Sequence, residues 1–237
     1  MGNHISANLE AVHARIATAC TQAGRSVESV RLLAVSKTYG PEAVRAAATA
    51  GQMLFGENRV QEAAAKIPEC PGRLQWHLIG HLQSNKAALA AQLFDWVHSV
   101  DSLKVLEALD RHAGEAGRRL DVLVQVNVSG ERSKFGLAPD KTLEVLARGN
   151  ELAHLQMRGL MTIPPLTADP EKARPYFRAL REWRDRWAAD LGMDLYDLSM
   201  GMTHDLEVAI AEGATFVRVG TGIFGERVYP AKGATPA

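Results

Sequence analysis

The chain carries two hydrophobic rhythms, one after the other. The first is helical. Ile5, Leu9, Val12, Ile16 and Ala19 recur at steps of three and four, and Gly24 supplies a stop. Short apolar runs follow at 32–36 (LLAVS), 53–55 (MLF), 76–79 (WHLI), 95–100 (DWVHSV), 121–128 (DVLVQVNV), 155–163 (LQMRGLMTI), 195–200 (LYDLSM) and 215–219 (TFVRV). Amphipathic stretches long enough for helices separate them. One opens at Pro41, which suits a first helical turn, and runs through EAVRAAATA. Others cover 60–67, 84–93, 102–117, 139–149, 171–190 and 204–212. Strands alternating with helices argue for βαβ units and a parallel sheet. Eight such strands, joined by right-handed crossovers, can close into a (β/α)₈ TIM barrel, here with an extra N-terminal helix. An open doubly wound sheet is the alternative, and the count of eight favours closure. One domain over 1–230 and a loose tail over 231–237 are expected.

Polar residues gather where the strands end, and in a parallel barrel binding groups collect at that rim. LLAVS runs straight into Lys37. Taken alone, a strand-end lysine snorkels to solvent. Its neighbours change the picture. The second strand ends in Gly56, Glu57 and Asn58; the third carries His77 and is followed by Gly80 and His81. The seventh ends in Ser199, Met200 and Gly201; the eighth carries Arg218 and ends in Gly220, Thr221 and Gly222. Small residues let backbone amides approach an anion, and the loops after strands seven and eight are a frequent phosphate site in barrels. A phosphate there, with an amine opposite on strand one, suits pyridoxal 5′-phosphate, whose aldehyde condenses with a lysine. Alternation puts Phe216, Arg218 and Gly220 on one face, so Arg218 points into the barrel. There it could face a pyridine nitrogen, or pair with a barrel carboxylate such as Glu57. Asn58 could equally cap the helix near Val60. His77 and His81 are four apart but flank a strand end, not one helix face, so a metal site is not expected.

Composition narrows the class. Lys plus Arg equals Asp plus Glu, 27 of each, so no basic excess points to nucleic acid. Cys20 and Cys70 read as a reduced pair in a cytoplasmic protein. MGNHIS fits a short acylation pattern at Gly2 and Ser6 but reads as a helix start. No apolar stretch approaches a membrane span, and the N-terminus has no signal-peptide core.

Eight segments together carry a resemblance: LLAVSKTYG, FGENRVQE, WHLIGHLQSNK, SVDSLK, VNVSGERSKFG, GLMTIPP, LSMGMTHDLEVAI and VRVGTGIFGER. They span roughly 32 to 227 and are similar to the pyridoxal phosphate homeostasis proteins, whose fold is like the N-terminal barrel of alanine racemase. The resemblance implies bound pyridoxal phosphate with Lys37 as the imine-forming lysine. It implies Ser199, Gly201, Gly220 and Thr221 around the phosphate, Arg218 at the pyridine nitrogen, and Asn58 and His77 beside the ring. No catalytic residue is implied. The family is thought to hold and deliver the cofactor to pyridoxal phosphate-dependent apo-enzymes and to balance vitamin B6 and amino-acid pools, without known turnover. A monomer or weak homodimer is expected. Two positions depart from the family pattern: Gly40 stands where proline is expected, and Thr203 where serine is usual. Neither touches Lys37 or Arg218.

The alternative is an amino-acid racemase. Racemisation needs a base on each face of the cofactor. Lys37 could serve one face. In alanine racemase the other is a tyrosine on a second domain, and this chain is expected to lack that domain. Of Tyr39, Tyr176, Tyr196 and Tyr229, only Tyr39 falls near the rim. A cofactor-free Schiff-base aldolase is a third reading, which leaves the anion-type loops and Arg218 without a ligand.

Overall fold

A computed structural model of the chain describes residues 2–131 and 134–226. Its strands are β1 (Arg31–Val35), β2 (Leu54–Glu57), β3 (Gln75–Leu78), β4 (Trp96–Val100), β5 (Leu120–Gln125), β6 (Leu155–Met161), β7 (Asp197–Met202) and β8 (Phe216–Val219). All are parallel to their neighbours, and β1 pairs with β8 to close the barrel. The helices are α1 (Gly2–Gln22), α2 (Pro41–Thr49), α3 (Val60–Lys66), α4 (Ala87–Leu93), α5 (Leu103–Glu115), α6 (Pro139–Asn150), α7 (Arg174–Leu191), α8 (Leu206–Ala211) and α9 (Thr221–Phe224). The expected barrel is the observed one. Tyr229 and the 231–237 tail lie outside the described residues.

Each strand has two buried faces, as parallel strands between helices must. Leu32 and Ala34 of β1 join the large core between sheet and helices, while Leu33 and Val35 join Ile79 inside the barrel. Trp96, Leu123, Met161 and Phe216 form a second inner cluster. At the amino-terminal end of the strands Arg31 pairs with Asp197, and its guanidinium lies 3.7 Å from the centre of the Phe216 ring. That end is plugged by packing. Helix α1 lays Ile5, Leu9, Val12 and Ile16 against the outer core, the face its periodicity predicts. Cys20 and Cys70 are both free thiols. Among the described residues no helix is long and apolar enough to cross a membrane.

Candidate functional site

The period of two along β1 fixes where Lys37 goes. Leu33 and Val35 face the barrel axis, so Lys37, two further on, continues that face at the rim. It lines a cavity of about 440 Å³ at the carboxyl ends of the strands. Asn58, Arg218, Gly220 and Thr221 line the same cavity, with Val35, Ile79, Gly80, Gln125, Met202 and Thr203. Its outer wall is His81, Phe135, Ile163, Leu166 and His204. No carboxylate is among these lining residues.

Arg218 is buried, 3% exposed, and forms part of the cavity floor. One guanidinium nitrogen donates to Ser199 Oγ at 2.8 Å, the other to the Thr162 carbonyl at 2.9 Å. Burial pushes its pKa down to about 10, with Asp205 opposing, so it stays charged at neutral pH. The Glu57 pairing considered for it does not occur. Glu57 lies on the outer face of β2 and bonds Lys66 and Ser36 instead.

Ser199, Gly201 and His77 do not line the cavity. Ser199 is fully buried beneath it, its hydroxyl shared between Arg218 and His98 Nδ1 at 2.9 Å. Gly201 packs outward: a Cβ there would sit 2.5 Å from the Ala209 Cβ of α8, and its φ is +90°. His77 lies deeper, stacked on Trp96, with Nδ1 2.9 Å from His98 Nε2. Alternation carries Trp96 and His98 inward on β4 and so hands His98 to this layer. The run DWVHSV contains His98, but nothing in the sequence alone assigns it a role.

The proton positions in this layer follow from Arg218. Arginine only donates, so Ser199 Oγ accepts from it and spends its own proton on His98 Nδ1. His98 then carries its proton on Nε2 and donates to His77 Nδ1. His77 keeps its proton on Nε2, which has no hydrogen-bond partner. The opposite arrangement orphans the serine hydroxyl as well. Both imidazoles are neutral: burial pushes His77 down to about 3 and His98 well below its ordinary value.

The phosphate-type loops and the rim hold further findings. Thr203 and Thr221 hydroxyls stand 3.4 Å apart. Gly220 precedes the single turn of α9, whose first amides have no intrahelical partner. The N-cap of α3 is Arg59, and Asn58 makes no capping bond. Tyr39 lies outside the cavity, its hydroxyl donating to the Gly225 carbonyl at 2.7 Å and its ring packed on Phe224. His81, which the sequence offered only as a poor metal ligand, is held by Asp101 at 2.9 Å and stacks on Phe135. Burial raises the Asp101 pKa, against the pull of His81.

Comparison with known proteins places the chain. The family model "Alanine racemase, N-terminal domain" matches residues 7–228. The pyridoxal phosphate homeostasis protein of Aquifex aeolicus is 44% identical over 222 residues, covering 93% of this chain and 97% of that one. Its namesake in Pseudomonas aeruginosa is 47% identical over 228 residues, covering 96% and 97%. Among solved structures, PipY of Synechococcus elongatus with PLP bound superposes with a TM-score of 0.83 at 40% identity, covering 93% of this chain and all of that one. Alanine racemase of Clostridium difficile shares the fold alone, with a TM-score of 0.73 at 14% identity over 58% of its length. A family model matched over residues 7–228 and relatives at 44% and 47% identity over nearly the whole chain make this chain a member of the pyridoxal phosphate homeostasis protein family.

Proposed function

We propose that the chain holds pyridoxal 5′-phosphate in the rim cavity, as a reversible imine on Lys37, and serves vitamin B6 and amino-acid homeostasis without turnover. The carrying observation is the make-up of the cavity wall: an amine from the end of β1, a buried cation and a small-residue turn from β8, threonine hydroxyls, and no carboxylate among the described lining residues. When bound, the cofactor supplies an aldehyde for an amine and a phosphate for donors. The residues fit it. A Cβ on Gly220 would meet nothing nearer than 3.4 Å, so the protein's own packing does not demand glycine there. Close approach of a ligand does. Thr203 and Thr221 flank the same wall and offer hydroxyls to a phosphate. Asn58 borders the ring. Ser199 and Gly201 act from behind: Ser199 orients Arg218, and Gly201 lets α8 close on β7. His77 supports Ser199 through His98.

Arg218 at the pyridine nitrogen would leave that nitrogen unprotonated, because arginine has no proton to give up at neutral pH. A ring so held is a weak electron sink, which suits holding over turnover. Relatives at 44% and 47% identity are named homeostasis proteins, and PipY has been solved with PLP bound. Apo-enzymes that use the cofactor are the proposed recipients, in the cytoplasm, with the carrier a monomer or weak homodimer.

The test is the absorbance spectrum of the purified protein before and after borohydride, with mass spectrometry of the Lys37 peptide. An imine band that reduces to an adduct on Lys37 is expected. Lys37→Ala should lose the band and adduct while keeping weak, phosphate-anchored binding. An unchanged band in Lys37→Ala, or a wild type that stays colourless with added cofactor, would overturn the assignment.

A further inference from the structure

Behind the rim lysine lies a buried charge cluster that the cavity does not use. Lys66, the last residue of α3, is 5% exposed, and Glu57 at the end of β2 is fully buried. A helical side chain leans toward the helix amino terminus, so Lys66 reaches back along α3 to the strand ends. There its ammonium donates to Glu57 Oε1 at 2.7 Å, to the Ser36 carbonyl at 2.8 Å and to Glu62 Oε1 at 3.4 Å. Ser36 Oγ donates to the same Glu57 oxygen at 2.6 Å. Glu62 in turn accepts from the Thr38 backbone N–H.

These bonds have one thing in common. The Ser36 carbonyl belongs to the peptide unit before Lys37, and the Thr38 N–H to the unit after it. Lys66 holds the first, Glu62 the second, and the two are themselves paired one helical turn apart. The backbone needs holding here. Thr38 has φ +69°, the sole positive value at a non-glycine among the described residues. Such a conformation persists only where its surroundings over-determine it.

We propose that Lys66 and Glu62, braced by Glu57, are positioning residues that set the reach of Lys37 by gripping the peptide units on both sides of it. This rests on Lys37 being the imine-forming residue. The device is indirect: neither side chain lines the cavity, and both act on backbone.

The experiment compares wild type with Glu62→Ala, Glu62→Gln and Lys66→Met. Amide exchange at Thr38 is measured in the ligand-free protein. The rate and pH profile of adduct formation with added pyridoxal 5′-phosphate are measured by borohydride trapping. In Glu62→Ala the Thr38 amide should exchange about tenfold faster, and adduct formation should slow about tenfold with a displaced pH profile, the worth of one hydrogen bond to a charged acceptor. The melting temperature should fall by only about 3–5 °C, the shift that one such bond is worth in a domain of this size. Glu62→Gln, which keeps an oxygen for Thr38, should recover most of the exchange protection. Lys66→Met should slow adduct formation, and if it does not fold Glu62→Ala decides. Wild-type exchange, rate and pH profile in folded Glu62→Ala would overturn the clamp. If the wild type itself forms no adduct on Lys37, the cofactor assignment fails, and Thr38 exchange alone then upholds or overturns the grip.

Discussion

One arginine organises the middle of this barrel. Arg218 cannot accept a hydrogen bond, so every group it touches must turn an acceptor toward it. That single constraint runs through Ser199 and sets the tautomers of His98 and His77 in turn. Nitrogen-15 NMR should find His98 neutral and protonated on Nε2 at neutral pH; protonation on Nδ1 would break the chain of donors. Ser199→Ala removes the link while leaving Arg218 and His98 buried. Each loses a partner at fixed geometry. Stability by urea unfolding should fall by about 2–4 kcal/mol, the usual penalty for buried groups left unsatisfied. A loss under about 0.5 kcal/mol would mean that water replaces the hydroxyl. Cofactor binding should weaken as well, because Arg218 loses one of the two bonds that aim it.

At the scale of strands and loops, two rim glycines should behave differently. Gly80, just after β3, lies against the backbone of the loop after β2: a Cβ there would sit 2.2 Å from the Asn58 carbonyl oxygen. Gly80→Ala must push two main chains apart, at a cost of about 2–3 kcal/mol. It should weaken cofactor binding too, since Asn58 moves with its loop. Gly220→Ala meets only ordinary contacts and should cost under about 1 kcal/mol in urea unfolding. Its cofactor affinity should nevertheless drop more than that of Gly80→Ala. Equal affinity in Gly220→Ala and wild type would move the phosphate away from β8. The elements themselves are legible because each short apolar run, buried on both faces, is punctuated by turn residues. The errors lie at the ends. The fifth apolar run extends to 128, but β5 stops at Gln125 and Val126 only bridges to Leu137. Polar partners were much harder to see. Lys66 looks like a helix-surface lysine until the β1–β2 register brings Ser36 and Glu57 together behind it. His98 and Ser199 are 101 residues apart; only closure of the barrel makes them neighbours. The inward period on β4 could have flagged His98, because Trp96 shares its face.

The whole molecule divides into storeys with different work. Packing and the Arg31–Asp197 pair close the amino-terminal end, the neutral histidine layer spans the middle, and the rim carries the cavity. That middle layer gives the fold a particular response to acid. His77 is held down to about 3 and His98 well below its ordinary value, both first by burial, with Arg31 adding to each and Arg218 to His98. In the unfolded chain both titrate near 6.5. Below that pH the unfolded chain takes up protons the native barrel refuses, so stability is complete above about 6.5 and is lost as pH falls toward the native values. Each histidine contributes a slope of about 1.4 kcal/mol per pH unit through the lower part of that window. Three carboxyl groups raised by burial, Glu57, Asp101 and Asp121, act the other way, since their native forms take up protons early. Their relief begins above the ordinary carboxylate range and offsets part of the histidine loss. The histidine share is therefore read from the rings themselves. Nitrogen-15 NMR of the folded protein should show neither imidazole titrating between about pH 6 and 5, while urea unfolding over that interval loses at most about 2–3 kcal/mol per pH unit. A ring that takes up a proton there would be charged or reached by water in the native barrel. The single-file chain of donors from Arg218 would then be wrong at its lower end, while Lys37 and the rim cavity would be untouched.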